Sequence, residues 1–394
     1  MISIQLKKNK DEALRRFHPW VFSGAIQSMS QIPKDGDIVE VRSIENEWLG
    51  VGHFQNGSSI AIRIFSFEPS ELKQIFWTTK LRKAYELRLQ VGIADSETTD
   101  CYRLIHAEGD GLPGLVIDIY AKTAVVQCHS IGMFLAVPQI SLGLQKIFGK
   151  KLNAIYNKSK ETLPKVFAAT MEDGYVLKSE NLDNIILENS NKFYVNWVTG
   201  QKTGFFLDQR DNRHILSQFC KNKTILNAFC YSGGFSIYAL RAGAKMVHSV
   251  DVSAKAIELT EKNVQLNFPD TTHHESFTAD VLQFLKNNES LYEVMIIDPP
   301  AFAKSLDKRH NAVQGYKRLN EMAIRQVAPN GIIFTFSCSQ VVDRLLFEHT
   351  IMAAALEAKR QVRILHHLTQ PSDHPTNLFH PEGSYLKGLV LFVA

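Results

Sequence analysis

The stretch TILNAFCYSGGFS, residues 224–236, decides the fold of the second half of the chain. Its apolar run is typical of a buried strand, two glycines follow, and apolar residues at helical spacing begin directly after them. The same order recurs downstream, where MVHSVDV, YEVMIIDPP and IIFTFSCS are further strands separated by helical stretches. Strands that alternate with crossover helices predict a doubly wound α/β sheet, the Rossmann-like class.

The last two strands, VRILHHL and LKGLVLFVA, break this alternation. The segment between them, TQPSDHPTNLFHPEGS, is rich in turn-forming residues and predicts a loop. Without a crossover helix, a strand cannot easily return parallel to the one before it. We therefore expect the final strand to run antiparallel.

The N-terminal half has a different pattern. Short strands separated by turns, ISIQL, DIVEVRSI, WLGVGHF and SIAIRIF, predict a small β-rich module. Further strands, glycine-rich turns and the helical stretch VPQISLGLQKIFGK then predict a central α+β domain. We expect three domains, with boundaries at residues 1–72, 73–190 and 191–394.

Composition excludes several classes of protein. The 394 residues are 45% apolar and 21% charged, which is ordinary globular usage. The five cysteines share no CxxC spacing, so we expect neither a disulfide framework nor a metal site. No run reaches the roughly 18 apolar residues of a membrane span, and the first residues do not resemble a signal peptide. We expect a cytoplasmic protein without a membrane partner. The net charge of +4 permits a polyanionic partner without requiring one.

Ligands of a doubly wound sheet bind beyond the carboxyl ends of its strands, and three of these ends suggest a nucleoside site. Gly233 and Gly234 let a ligand approach the backbone, although the motif is not GxGxxG. Asp251 follows 18 residues after Gly233, where a carboxylate can accept hydrogen bonds from ribose. Asp280 and the Val281 amide could contact adenine. Each feature alone also fits a turn, a helix cap or a surface acid.

The fourth strand end is DPPAF, residues 298–302. Two prolines directly after an apolar strand delay the start of a helix and keep the backbone extended. Asp298, Pro299 and Phe302 would then face the cleft, which suits a planar, hydrogen-bonding base. Together, four such ends at successive strands favour a ligand site over an accidental arrangement.

The chain resembles a known family in these motifs. Its C-terminal half resembles class I S-adenosylmethionine-dependent methyltransferases, and the whole chain resembles the bacterial 23S ribosomal RNA 5-methylcytosine methyltransferases that carry an N-terminal PUA domain. The most distinctive pieces are RFHPWVFSGAI, GDGLPGLVIDIY, TGQKTGFFLDQR, NAFCYSGGFS, DPPAF, FSCS, DHP and PEGSYLKG.

The resemblance implies S-adenosylmethionine as cofactor, large-subunit ribosomal RNA as partner, a PUA fold for the first 70 or so residues, and a homodimer. It implies that Asp251 holds the ribose and Asp280 the adenine. The remaining cofactor residues would line the methionine end or close the pocket: Phe229, Tyr231, Gly233, Asp208, Arg210 and Asp298.

Residues 71–92 predict a basic amphipathic helix behind the PUA module, with Lys73, Lys80, Arg82, Lys83 and Arg88. These side chains could neutralise RNA phosphates, because such contacts do not depend on base sequence. A solvated helix face explains the same pattern, and the sequence leaves both interpretations open.

Cys338 is the candidate nucleophile. Carbon 5 of cytosine is a poor nucleophile, and addition of a thiolate at carbon 6 activates it. Cys338 ends the strand after DPPAF, so a parallel sheet would bring it beside Asp298, which could stabilise charge on ring nitrogen 3. Cys230 is a rival inside the cofactor loop, where we expect it to face the cofactor.

The chain departs from a common family pattern at one position. Many RNA cytosine-5 methyltransferases carry a second cysteine after the first proline of this motif, where this chain has Pro300.

Three alternatives stay open. DPPAF also resembles the D/N-P-P-Y/F signature of methyltransferases that act on a base nitrogen, which would use Asp298 and Phe302. A non-catalytic RNA-binding assembly factor is the second alternative. A dehydrogenase, the third, lacks GxGxxG and a second nucleotide-binding half.

Overall fold

The computed structural model describes residues 1–69, 72–179, 182–288, 290–303 and 305–394. The chain forms two compact units, each assembled from separate segments. Unit 1 comprises Met1–Leu187, Val195–Leu207 and Ser372–Gly383, and unit 2 comprises Glu188–Tyr194, Asp208–Pro371 and Ser384–Ala394. Among the described residues, no helix is long and apolar enough to span a bilayer.

Unit 1 begins with a six-stranded sheet in the order β2-β6-β5-β4-β1-β3. Its elements are β1 (Ile2–Leu6), α1 (Glu12–Arg15), β2 (Trp20–Phe22), β3 (Ile26–Met29), β4 (Ile38–Arg42), β5 (Trp48–Phe54) and β6 (Ile60–Ser66). Alternation along β4 buries Val39 and Val41 and leaves Ile38, Glu40 and Arg42 partly exposed. The predicted β-rich module and its four strands are confirmed.

A five-stranded sheet follows in unit 1, in the order β11-β10-β9-β8-β7. Its segment contains α2 (Gln74–Gln90), β7 (Cys101–His106), β8 (Leu115–Tyr120), β9 (Thr123–Cys128), α3 (Ile131–Leu135), α4 (Val137–Phe148), β10 (Ala154–Asn157), α5 (Lys165–Ala168) and β11 (Gly174–Lys178). Strand β12 (Ile185–Glu188) follows but does not belong to this sheet, and its last residue is the first of unit 2. Trp77 and Leu81 of α2 pack into the same core as β7, β8 and β9. A central α+β region is therefore present.

The prediction of a basic face on α2 is wrong for Arg88. Its guanidinium is fully buried and pairs with Asp110, with Nη2 2.8 Å from Oδ2. A buried charge requires such a partner, and Asp110 lies beyond the next strand, where helical periodicity could not reveal it. Lys73, Arg82 and Lys83 are exposed, and Glu71, the first residue of the stretch, lies outside the described residues.

Unit 2 contains a seven-stranded sheet in the order β16-β15-β14-β17-β18-β20-β19. Its elements are β13 (Asn191–Tyr194), α6 (Arg210–Leu216), β14 (Thr224–Ala228), α7 (Gly234–Arg241), β15 (Met246–Asp251), α8 (Ala254–Asn267), β16 (His274–Thr278), α9 (Val281–Asn287), β17 (Tyr292–Ile297), α10 (Arg309–Gln326), β18 (Val327–Ser337), α11 (Arg344–Ala358), β19 (Val362–Leu368) and β20 (Lys387–Val393). Strands β14 to β18 are parallel.

This sheet is covered on both faces, as a doubly wound fold requires. Along β17, Met295 and Ile297 enter one core, whereas Val294 and Ile296 enter another. The final strand, β20, runs antiparallel to both β18 and β19 and lies between them. The predicted doubly wound sheet and antiparallel last strand are both confirmed. The carboxyl ends of β14, β15, β17 and β18 lie along one edge of the sheet.

Candidate functional site

The loop between β14 and α7 turns sharply at the carboxyl edge of the sheet. Phe229, Tyr231 and Gly233 have left-handed backbone conformations, with φ of 60°, 47° and 74°. Such conformations cost energy in residues other than glycine and concentrate at functional sites. Phe229 and Tyr231 are partly exposed, so their side chains are available to a ligand.

Asp251, at the end of β15, holds this loop in place. Its Oδ2 accepts the backbone N–H of Tyr231 at 3.0 Å, and its Oδ1 accepts that of Ser253 at 2.9 Å. The carboxylate is partly exposed, and each of its oxygens has a second lone pair. Asp251 can therefore hold the loop and still accept hydrogen bonds from two ribose hydroxyls.

Asp280 and Val281 follow β16, the neighbour of β15. Oδ1 of Asp280 accepts the backbone N–H of Gln283 at 3.0 Å, which makes Asp280 the N-cap of α9. The carboxylate is exposed, whereas the side chain of Val281 is buried. The capping role and a contact to an adenine are compatible, because one oxygen suffices for the cap.

Asp208 and Arg210 lie at the start of α6. The hydroxyl of Tyr385 donates to Oδ2 of Asp208 at 2.7 Å, while Oδ1 is buried and has no hydrogen-bond partner among the described residues. Arg210 is buried and lies 3.7 Å from Asp211. A buried carboxylate oxygen without a donor is costly. Asp208 therefore fits a ligand that brings a donor such as an ammonium group.

Asp298 follows β17 directly and is the most perturbed acid of this edge. The side-chain amide of Gln209 donates to its Oδ2 at 3.0 Å. Burial, with the charge of Asp208 as a second cause, raises the pKa of Asp298 to about 7. The carboxyl can therefore carry a proton near neutral pH. Sequence reasoning missed Gln209, although it lies within the quoted segment TGQKTGFFLDQR.

Cys338 follows β18, the strand paired in parallel with β17, so its thiol and the Asp298 carboxyl lie at neighbouring strand ends. The hydroxyl of Ser339 donates to the carbonyl of Ala303 at 2.7 Å, which ties the turn after β18 to the segment after β17. Cys338 is partly exposed, whereas the other four cysteines are buried. Burial, followed by the charges of Asp298 and Asp208, raises the pKa of the Cys338 thiol to about 11.

Pro299 and Phe302 complete the edge. Pro299 is buried, so it shapes the backbone and offers little surface to a ligand. The Phe302 ring is 38% exposed, and its centroid lies 4.6 Å from that of Tyr316. The ring is therefore packed against Tyr316 and is partly accessible to a partner.

The sequence suggested that Cys230 faces the cofactor, but the structure buries its side chain. Its thiol is 6% exposed and lies 3.6 Å from the Thr260 hydroxyl. Burial raises its pKa to about 12. A thiol packed against α8 and kept protonated is a poor nucleophile, so Cys230 is a structural residue.

A separate cluster in unit 1 contains His18, His380 and Glu382, whose ligating atoms lie within 4.8 Å of one another. The backbone N–H of Trp20 donates to Nδ1 of His18 at 3.3 Å. The ring proton of His18 is therefore on Nε2, the atom that faces Glu382 at 3.6 Å. Glu382 also lies 3.7 Å from Nε2 of His380, and both ring nitrogens of His380 are buried without a hydrogen-bond partner among the described residues.

Comparison with known proteins assigns the chain. A PUA-like domain family matches residues 4–67, and an S-adenosylmethionine-dependent methyltransferase family matches residues 172–379. The ribosomal RNA large subunit methyltransferase I of Aeromonas hydrophila is 37% identical over 395 residues, covering 99% of this chain and 98% of the relative. The chain belongs to the ribosomal RNA large subunit methyltransferase I family. The member from Pseudoalteromonas atlantica is 39% identical over 392 residues, covering 98% of each chain.

Solved structures agree with the fold of the ribosomal RNA large subunit methyltransferase I family. A protein from Streptococcus mutans, classed as a SAM-dependent methyltransferase, superposes with a TM-score of 0.84 at 22% identity and covers all of both chains. Another methyltransferase structure, complexed with SAH, has a TM-score of 0.86 at 22% identity and also covers both chains fully. At this identity the likeness concerns the fold alone.

As a member of the ribosomal RNA large subunit methyltransferase I family, the chain is an S-adenosylmethionine-dependent methyltransferase. The resemblance to this family, the PUA-like module and the cofactor are therefore confirmed. The dehydrogenase alternative is excluded by the same matches. The unsatisfied oxygen of Asp208 and the remaining acceptor capacity of Asp251 fit such a cofactor, which carries both an ammonium group and ribose hydroxyls.

Proposed function

We propose that this chain methylates carbon 5 of a cytosine in large-subunit ribosomal RNA through a covalent bond between Cys338 and carbon 6. The observation that supports this most is the adjacency of two strand ends, β17 with Asp298 and β18 with Cys338. The bond from Ser339 to Ala303 supports a fixed spacing between them. A partly exposed thiol beside a protonatable carboxyl is the pair that the chemistry needs.

The Cys338 sulfur attacks carbon 6 of the cytosine as its thiol proton leaves. The π electrons move from carbons 5 and 6 toward ring nitrogen 3, where a negative charge would develop. Protonated Asp298 donates its proton to that nitrogen, so carbon 5 becomes the nucleophilic end of an enamine. A carboxyl with a pKa of about 7 is present in the acid form in a useful fraction at neutral pH.

When bound, S-adenosylmethionine supplies an electrophilic methyl group on a sulfonium. After carbon 5 takes the methyl group, a base removes the proton from carbon 5 and the electron pair restores the ring double bond. The bond between sulfur and carbon 6 breaks in the same step, and Asp298 recovers its proton from nitrogen 3. Because Pro300 stands where other families have a second cysteine, Cys338 is the single thiol of this cycle.

The cofactor would bind at the same carboxyl edge of the seven-stranded sheet. We assign the methionine end to Phe229, Tyr231 and Gly233, and the ribose to Asp251. The adenine would contact Asp280 and the Val281 amide. Asp208 and Arg210 would close the pocket, with the unsatisfied Oδ1 of Asp208 accepting from the cofactor ammonium.

The RNA partner is proposed from the names of the relatives and from the PUA-like match at residues 4–67. The exposed basic residues of α2, Lys73, Arg82 and Lys83, are candidates for phosphate contacts. Action on ribosomal RNA would place the protein in the cytoplasm. The homodimer and the three-domain division at residues 72 and 190 stay predictions.

A second candidate is methylation of a base nitrogen, which the partly exposed Phe302 ring favours. In that reaction the ring stacks on the base, Asp298 accepts from the exocyclic amine, and no thiol takes part. A non-catalytic assembly factor does not agree with the methyltransferase family to which the chain belongs. The role of Cys338 separates the two reactions.

Bisulfite sequencing of ribosomal RNA from cells with and without the protein tests the proposal. We expect one cytosine to lose its protection in the deletion strain and to regain it with the wild-type gene. A Cys338→Ala gene should not restore protection, whereas Cys220→Ala, a buried cysteine in the same unit, should. Calorimetry should find S-adenosylmethionine binding intact in Cys338→Ala. Methylation by Cys338→Ala, or no affected cytosine in the deletion strain, would overturn the proposal.

A further inference from the structure

Lys387 is the first residue of β20, the strand that lies between β18 and β19. It stands directly opposite Ser337 in the antiparallel pairing of β20 with β18, one residue before Cys338. Its side chain is directed toward the turn that follows β18, where Nζ donates to the carbonyl of Ser339 at 2.7 Å. The ammonium group is therefore held at the backbone of the turn that carries the thiol.

The surroundings of Lys387 are unusual for a lysine. It is 5% exposed, and no carboxylate of the described part of the chain forms an ion pair with it. The titratable and charged groups that act on Lys387 are Cys338, Asp343 and Arg344, and those that act on Cys338 are Asp298, Asp208 and Lys387. Among these groups, Cys338 has the largest influence on the pKa of Lys387.

Burial lowers the pKa of Lys387 to about 8, so part of the population has a neutral amine near neutral pH. The Cys338 thiol, in contrast, stays protonated near neutral pH. With a pKa of about 11, roughly one Cys338 in ten thousand is a thiolate at pH 7. A thiol of this kind needs a local proton acceptor, and the buried amine that is held at the carbonyl of the next residue, Ser339, is the candidate.

We propose that Lys387 is the proton acceptor and donor of Cys338. The inference rests on the proposed function of Cys338 as nucleophile. As the sulfur–carbon 6 bond forms, the thiol proton moves to the lone pair of the neutral Nζ, which becomes an ammonium. As that bond breaks, the sulfur keeps the electron pair and the ammonium returns the proton to it. No proton or electron is left over, and the enzyme regains a thiol and a neutral amine.

If Lys387 had only a structural role, its hydrogen bond would serve to link β20 to the Ser339 carbonyl. Three variants separate the possibilities. Lys387→Met removes both the charge and the hydrogen bond. Lys387→Arg keeps a donor and a positive charge but cannot give up its proton. Lys286→Met, at an exposed lysine of α9, is the control.

The first measurement is the rate of Cys338 alkylation by iodoacetamide between pH 6 and 10, followed by mass spectrometry on the intact protein without RNA. The four other cysteines are buried, so a single adduct reports on Cys338. We expect Lys387→Met to lower the rate at pH 8 about tenfold, which corresponds to a rise of one unit in the thiol pKa. Lys387→Arg and Lys286→Met should stay within about twofold of wild type.

The second measurement is methyl transfer under single turnover. We expect Lys387→Arg to lose about a hundredfold in rate, a typical contribution of a proton-transfer group, with cofactor affinity unchanged. A wild-type alkylation profile in Lys387→Met, or wild-type methyl transfer in Lys387→Arg, would overturn the proposal. If Cys338→Ala still methylates RNA, it is the proposed function that fails, and the alkylation data still report the coupling of Lys387 to the thiol.

Discussion

The Gln209 amide nitrogen lies 3.0 Å from Oδ2 of Asp298 and donates to it. Asn212 orients that amide, because its Nδ2 donates to the Gln209 Oε1 at 2.6 Å and to the Thr369 carbonyl at 3.2 Å. Gln209 and Asn212 are both buried. The Asp298 carboxyl is thus held in one orientation by a neutral donor, which leaves its charge open to change during the reaction.

Asp298→Asn should alter how stability depends on pH. The folded-state pKa of Asp298 is about 7 against an ordinary value of 3.8, so between these values the folded state binds a proton that the unfolded state has lost. Stability therefore falls as pH rises from about 4 to 7. Between pH 5 and pH 8, we expect the free energy of unfolding of Asp298→Asn to fall by about 2 kcal/mol less than that of the wild type, measured by urea unfolding. Exposed Asp270→Asn should behave as wild type, and an unchanged pH dependence in Asp298→Asn would contradict the raised pKa.

The pH profile of methyl transfer should be bell-shaped. The reaction needs Asp298 protonated, a fraction that falls as pH rises through about 7, and Lys387 neutral, a fraction that rises through about 8. We expect an optimum between about pH 7 and 8 in single-turnover rates. In Lys387→Arg, the rise in rate with pH that comes from deprotonation of Lys387 should be absent. A rate that rises steadily to pH 10 in the wild type would rule out the role of Asp298 as a proton donor.

Glu188→Gln should destabilise unit 2 strongly. Both residues of its ion pair with Arg213 are buried, at 2.8 Å and 2.7 Å, and the Tyr238 hydroxyl also donates to Glu188 at 3.0 Å. Removing one charge leaves the other buried without a partner, which costs about 3–5 kcal/mol. The matched control is Glu258→Gln, which breaks the exposed pair with Lys262 on α8 and should cost less than about 0.5 kcal/mol. Equal losses in chemical unfolding would show that the buried pair is not needed.

Gly233→Ala and Gly243→Ala should differ although both glycines have positive φ. At Gly233 an added Cβ would lie 2.7 Å from Thr260 Cγ2, whereas at Gly243 its nearest neighbour is Lys221 Cγ at 4.0 Å. We expect about 1 kcal/mol of destabilisation at Gly243 from backbone strain alone. Gly233→Ala should cost about 2–3 kcal/mol more, since overpacking adds to the strain. Thermal unfolding compares the two, and a Gly233→Ala protein as stable as Gly243→Ala would contradict the contact with α8.

Asp251→Ala should weaken cofactor binding. The carboxylate orders the loop through Tyr231 and Ser253, and we assign the ribose to it. Loss of a charged hydrogen-bond acceptor costs about 1.5–3 kcal/mol, which is roughly a tenfold to hundredfold rise in Kd for S-adenosylmethionine. Calorimetry checks this against exposed Asp270→Ala, which should bind like wild type. An unchanged Kd would remove Asp251 from the cofactor site.

The sheet and its edge were predictable because local patterns determine them. Apolar runs ending in NAFCYSGGF, SVDV, DPPAF and FSCS mark strand ends, and parallel strands bring their carboxyl ends to one side. The partners of these residues were not predictable. Gln209 and Lys387 come from segments far from Asp298 and Cys338 in sequence, and only the folded chain brings them near. The buried pair of Arg88 with Asp110 likewise has no signal in helical periodicity.

The insertion of β20 between β18 and β19 has a consequence for synthesis of the protein on the ribosome. Strand β19 is synthesised before β20, yet among the described strands β20 is the one that pairs with it. A nascent chain that has already exposed the thiol therefore still has an open sheet and lacks the amine at position 387. The Cys338 thiol would thus become reactive only when β20 completes the sheet, so that incomplete chains would not react with RNA.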